Sequence, residues 1–264
     1  GFRYIYLGPT PYIEKIHRIY NEFVHTDFSL DNPDDDLALV SSIKECVGFL
    51  AENPDYVSCD GEYLWLNDSN LFSKHPNKFF GALKADFKSE LPRERVNFEF
   101  QTNMSRQHCV LRTSAARTVW NKLYNTPALQ PLSFIERFHV FITATLGNSK
   151  RLPILFMIRS ATDNHVHQQE LAKKSMSLDI NFIDYLDSTH LDPFVQSLRE
   201  MQSDLDYDET YDFIYHLLKN ELTSETDTSH IDTSQWKFRE EWPAILAEKY
   251  MEDIEKICSL MSGN

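Results

Sequence analysis

The sequence predicts an α/β fold: a mixed sheet flanked by helices, followed by an acidic α-helical extension. Three observations carry that prediction. Short apolar runs alternate with segments of helical spacing up to about residue 190. Leu152–Ile158 is a continuous apolar run of the kind a buried strand shows. Beyond residue 190 only helical patterns remain. The expected division is a sheet-bearing domain over 1–190 and a helical extension over 191–264.

The elements are expected in the following order. Ile13, Ile16, Ile19, Tyr20 and Phe23 fall at helical spacing between Pro11 and Val24, with the proline in the first turn, where its missing N–H does no harm. Asp27–Leu30 reads as a short strand running into an acidic stretch, Asp31-Asn32-Pro33-Asp34-Asp35-Asp36. A helix carrying Leu39, Ile43, Cys46, Val47 and Leu50 follows, its positive end favoured by those acids, until Asn53-Pro54-Asp55 breaks it. Tyr56–Cys59 and Glu62–Leu66 read as two strands joined at Asp60-Gly61, a hairpin-type turn signal.

Val96, Phe98 and Phe100 alternate with polar residues as a half-buried strand would, and Cys109–Arg112 reads as another. Thr113-Ser114 can cap a helix bearing Ala116, Val119, Trp120 and Leu123. Ser133, with Glu136 three residues on, forms a capping box for the next helix, which Gly147 ends. After residue 190, helices are expected over Phe194–Met201, Tyr207–Leu222 and Glu240–Met261, with Thr223–Ser234 as a linker.

Composition narrows the function. The 264 residues are 42% hydrophobic and 25% charged, which excludes disorder throughout. Only seven are glycine, and neither a P-loop nor G-x-G-x-x-G occurs. The net charge is −14, and from Glu200 onward there are 16 acidic residues against five basic. Such a chain is repelled by phosphate backbones, so nucleic acid is not an expected partner. No apolar run reaches the ~18 residues of a membrane span, and no charged-then-apolar signal-peptide pattern opens the sequence. Cys46, Cys59, Cys109 and Cys258 lack any C-x-x-C pairing and read as buried thiols of a reducing compartment. The expectation is a cytoplasmic protein, or one peripheral to a membrane, without an integral segment. His108-Cys109 invites a phosphatase reading, but position 115 is Ala where that loop needs Arg, and no glycine intervenes.

The acidic stretch is the most informative feature. Carboxylates crowded at a strand end repel one another unless a cation joins them. Hard ions such as Mg²⁺ and Mn²⁺ take oxygen ligands and leave positions open for water and substrate phosphates. Strand ends of α/β sheets are where ligands bind. The plainer reading is an acidic turn leading into a helix.

The segment Thr26-Asp-Phe-Ser-Leu-Asp-Asn-Pro-Asp-Asp-Asp-Leu, then Ile43 to Val57 with its Phe-Leu-Ala-Glu-Asn-Pro-Asp-Tyr, then Asp60-Gly61, resembles GT-A-fold glycosyltransferases related to family 2. Val110-Leu111-Arg112-Thr113, Leu132 to Glu136, Gly147, Lys150-Arg151-Leu152-Pro153 and Ile158-Arg159 resemble the second half of those domains. The likeness covers roughly residues 4–165. It implies a GT-A-like (Rossmann-like) mixed sheet and a metal-dependent, inverting transfer of a sugar from a nucleotide-sugar donor, most simply a UDP-sugar, to a hydroxyl of a glycan or other acceptor.

The resemblance gives the Mn²⁺ or Mg²⁺ site to Asp34 and Asp36, with Asp35 and Asp31 as contributors and His165 or His167 as a further ligand. It gives the base to Glu136 and diphosphate contacts to Arg112 and Arg159. The acidic motif comes only about 30 residues into the chain, earlier than in the family. The nucleotide-binding half is therefore expected to be abbreviated or carried on other sequence, with Phe2–Leu7 as a remnant strand. Two other readings of the same residues are a non-catalytic partial domain acting as an interaction module, and a metal-dependent phosphoester hydrolase.

Overall fold

The computed structural model describes residues 4–33, 36–67, 78–80, 88–102, 107–126, 132–161, 191–201 and 206–223. In chain order the elements are α1 (Tyr12–Arg18), a π-helical turn (Ile19–Phe23), β1 (Phe28–Leu30), β2 (Asp36–Ala38), α2 (Val40–Glu52), β3 (Tyr56–Asn67), β4 (Lys78–Phe80) and α3 (Pro92–Thr102). Then come β5 (Val110–Arg112), α4 (Thr113–Asn125), α5 (Leu132–Leu146), β6 (Asn148–Ala161), α6 (Leu191–Met201) and α7 (Tyr207–Thr223). The fold is α/β with a mixed sheet. Its strand order is β1-β5-β3-β6-β2, with β4 added to β3.

The parallel pair β3 and β6 is the spine, running from Tyr56↔Asn148 to Asn67↔Ala161. Strand β5 opposes both β1 and β3, so β1, β3 and β6 point the same way. Strand β2 closes the other edge against β6, with Asp36 opposite Arg159. The two edge strands are nonetheless consecutive in sequence. Four strand spacings of about 4.8 Å and six residues of rise would put Leu30 and Asp36 roughly 28 Å apart on a flat sheet. Six residues reach at most about 21 Å. The sheet must therefore curl, bringing its edges together beyond the carboxyl end of β1.

Helices cover both faces. Cys46 and Leu50 of α2 pack with Cys59, Tyr63, Val110 and Ile154–Ile158 in one core cluster. Cys109 and Leu111 join the other, which is built from Ile13 of α1, Val119 and Trp120 of α4, Phe138 and Phe141 of α5, and Phe194 of α6. Alternate residues beside and within β5 thus serve opposite cores, as strand geometry requires.

Several sequence expectations change. Val96, Phe98 and Phe100 lie in helix α3, not a strand; the buried positions are Pro92, Arg95, Val96 and Glu99, which is helical spacing carried partly by charged residues. Asp60-Gly61 is no turn, because β3 continues through it with a register shift between Asp60 and Glu62. Glycine is needed there because a Cβ would collide with the Ile154 carbonyl and lie 2.7 Å from its Cγ1. Asp36 opens β2, and α2 starts at Val40 with no acid in its first turn, so the acidic stretch does not cap that helix.

Thr113 and Ser133 are already helical, which removes the expected caps and the capping-box role of Glu136. Residues 4–7 form no strand, and Tyr4 and Tyr6 are 89% and 77% exposed. The helix expected over Glu240–Met261 and the linker from residue 224 to Ser234 lie outside the described residues, as does Cys258. Cys46, Cys59 and Cys109 are buried. No helix among the described residues is long and apolar enough to cross a membrane.

Candidate functional site

The site is built where β1 hands the chain to the crossing segment. Asn32 ties the two described ends of that segment together: its Nδ2 donates to the Pro33 carbonyl at 2.7 Å and to the Asp36 carbonyl at 3.0 Å. The Asp36 N–H donates to the Pro33 carbonyl at 3.4 Å. Asp36 is buried at the start of β2, opposite Arg159 near the carboxyl end of β6. Asp31 and Asp36 thus stand at the two ends of a short loop that leaves the carboxyl end of β1, a usual ligand position in α/β sheets, and enters β2 beside the carboxyl end of β6.

A polar cluster surrounds Asp31. Because Leu30 pairs with Val110, the residues just ahead of β5 face the end of β1. His108 Nδ1 lies 3.0 Å from the Asp31 carbonyl oxygen. A carbonyl only accepts, so Nδ1 carries the proton. Tyr12 Oη donates to Asp31 Oδ2 at 3.5 Å, and Gln107 Nε2 donates to Tyr12 Oη at 3.0 Å. Burial pushes the Asp31 carboxyl above the usual carboxylate range, against the opposing pull of His108, Gln107 and Tyr12.

The cluster is anchored to the centre of the sheet. Tyr63 Oη lies 3.1 Å from Asp60 Oδ2 and 3.4 Å from the His108 carbonyl oxygen, which share its one proton. Asp60 is fully buried and takes a two-pronged pair from Arg151, Nε to Oδ1 at 3.1 Å and Nη2 to Oδ2 at 2.7 Å. Behind His108, His139 is buried in α5, edge-on to Trp120 at 5.5 Å between ring centroids. Burial first, and His108 second, push its pKa down to about 3, so it is neutral.

Of the residues singled out from sequence, Asp31 opens the loop and Asp36, the first residue of β2, closes it. Asp34, Asp35, His165 and His167 lie outside the described residues. Glu136 sits in α5 one turn before His139, and Arg159 lies in β6 opposite Asp36; for both only the backbone is described. Arg112 stands at the far end of β5, opposite Phe28, with its guanidinium donating to the carbonyls of Leu50 (2.5 Å), Asn53 (3.0 Å) and Tyr56 (2.8 Å). Those bonds tie the end of α2 to the start of β3.

Among the described residues no group of three or more His, Cys, Asp and Glu is assembled to hold a metal. The donor type at the loop, carboxylate oxygen, does suit a hard divalent cation. Tyr12, Gln107 and Tyr63 were not legible as site residues. His108 stands out in the sequence only beside Cys109; the signal for its role is its place just ahead of a strand antiparallel to β1.

No protein-family model matches the chain, and no curated protein matches it.

Proposed function

We propose that the chain is a metal-dependent glycosyltransferase of GT-A type, moving a sugar from a nucleotide-sugar donor to an acceptor hydroxyl with inversion. One observation supports the reading above others. A curled α/β sheet leads its acidic run, Asp31 to Asp36, from the carboxyl end of β1 straight into an antiparallel edge strand. The sequence likeness around that loop gives the reaction class.

Asp34 and Asp36, with Asp35 and Asp31, would hold Mn²⁺ or Mg²⁺. Bound there, the cation offsets the charge that builds on the departing diphosphate. The chain's own part is to present carboxylates on a short loop braced by Asn32 and by the β2–β6 pairing.

The test is calorimetric titration of the full chain with UDP-sugars in the presence and absence of Mn²⁺. Binding that requires the metal, and that Asp34→Ala or Asp36→Ala abolishes together with transfer, is the expected result. No heat with any donor, or full transfer by either variant, contradicts the reading.

A further inference from the structure

We infer that His108 is a positioning residue of this site, holding Asp31 in place through its peptide carbonyl; the inference rests on the glycosyltransferase reading. Asp31 opens the acidic loop. It is the first residue after β1, and past Leu30 no ladder bond to β5 holds the chain. The bond that continues the constraint is the 3.0 Å contact from His108 Nδ1–H to the Asp31 carbonyl oxygen. Fixing that carbonyl fixes the peptide plane, and with it the direction in which the Asp31 carboxylate and the following loop leave the strand.

The clamp is tied to the sheet interior. The His108 carbonyl shares the one Tyr63 hydroxyl proton, at 3.4 Å, with Asp60, which the Arg151 fork holds in place. His108 is only 8% exposed, and its neighbour Gln107, at 5%, reaches Tyr12 Oη and through it the Asp31 carboxylate. The Asp31 main chain and side chain are thus gripped from two adjacent residues of one connection. Bonds of this outer kind orient the groups that touch a metal or ligand, and removing them characteristically costs 10–100-fold in affinity or activity.

Two substitutions separate the clamp from mere packing. His108→Asn keeps an amide N–H close to where Nδ1 stood, so it can still donate to the Asp31 carbonyl, while Nε2 is lost. His108→Leu fills similar volume and donates nothing. The probe is UDP with Mn²⁺, measured by calorimetry on the full chain, alongside the thermal midpoint of each variant.

The expected result is a 10–100-fold loss of affinity in His108→Leu and a value within about threefold of the native chain in His108→Asn. Tyr63→Phe, which frees the His108 carbonyl but keeps the Asp60–Arg151 pair, should fall between them. Native affinity in His108→Leu overturns the inference. So does an equal loss in both His108 variants at unchanged thermal midpoint, because that assigns the effect to the ring and not to the Nδ1 bond. A native chain that binds no UDP with Mn²⁺ overturns the parent reading and this inference with it, whereas native binding with an insensitive His108→Leu overturns this inference alone.

Discussion

His139 shows what one buried side chain does to this molecule. Its pKa, pushed down to about 3 by burial and by His108, lies well below the ordinary histidine value of about 6.5. The unfolded chain therefore takes up a proton that the native chain refuses as pH falls through that window. The stability that neutral His139 permits is complete above about pH 6.5 and drains away on acidification, by roughly 3 kcal/mol at pH 4. Urea titrations at pH 7 and pH 4 should show this loss in the native chain and a smaller one in His139→Phe. An identical pH dependence in the two would contradict the assignment. Asp31 carries the opposite burden: burial holds its carboxyl above the usual range, so ionising it costs native stability as pH rises.

At the scale of elements, three arginines share one task. Arg112 donates to carbonyls at the end of α2, Arg95 to the Ala144 and Thr145 carbonyls at the end of α5, and Arg117 to the Tyr20 and Val24 carbonyls closing the π-helical turn. Each places a guanidinium on carbonyl groups at or just past a helical C-terminus, where the negative end of the helix favours a cation. Arg112→Lys keeps the charge but loses the fork and should cost about 2 kcal/mol in denaturant unfolding. Two glycines give a paired prediction. Gly48 in α2 has open space around a built Cβ, so Gly48→Ala should stabilise by about 0.5–1 kcal/mol. Gly61→Ala meets the β6 backbone and should destabilise by about 1–3 kcal/mol. The same measurement reads both, and equal signs would contradict the packing described for β3 and β6.

These elements also show what was legible in advance. Strands β1, β5 and β6 and helices α2, α4 and α5 were readable because apolar residues mark their buried positions or, in β1, their half-buried ones. Helix α3 was not, because two of its buried positions are Arg95 and Glu99, leaving Val96, Phe98 and Phe100 to imitate a strand. Asp60-Gly61 misled for a related reason: a glycine demanded by close approach of β6 looks in sequence like one demanded by a turn.

For the whole molecule, the decisive feature is that consecutive strands β1 and β2 occupy opposite edges of the sheet path. Curling the sheet lets a loop of five residues join them, and that loop carries the acidic run. Its carboxylates could be read from the sequence; the surroundings of Asp31 could not, because Tyr12 of α1 and Gln107 and His108 of the connection into β5 come to it from distant parts of the chain. Hydrogen exchange should find the β3–β6 spine, with its long parallel ladder and buried Asp60–Arg151 pair, protected longer than edge strand β2. Faster exchange in the spine would contradict this architecture.

In the function proposed, the Asp31–Asp36 segment would hold a divalent cation against a nucleotide diphosphate. Manganese anomalous scattering from a crystal grown with Mn²⁺ and UDP measures it most directly. A peak within coordination distance of these carboxylates, with the diphosphate on the open side of the ion, is the predicted result. Carboxylates facing bulk solvent with no manganese between them, in a crystal where UDP is bound elsewhere or absent, would contradict it.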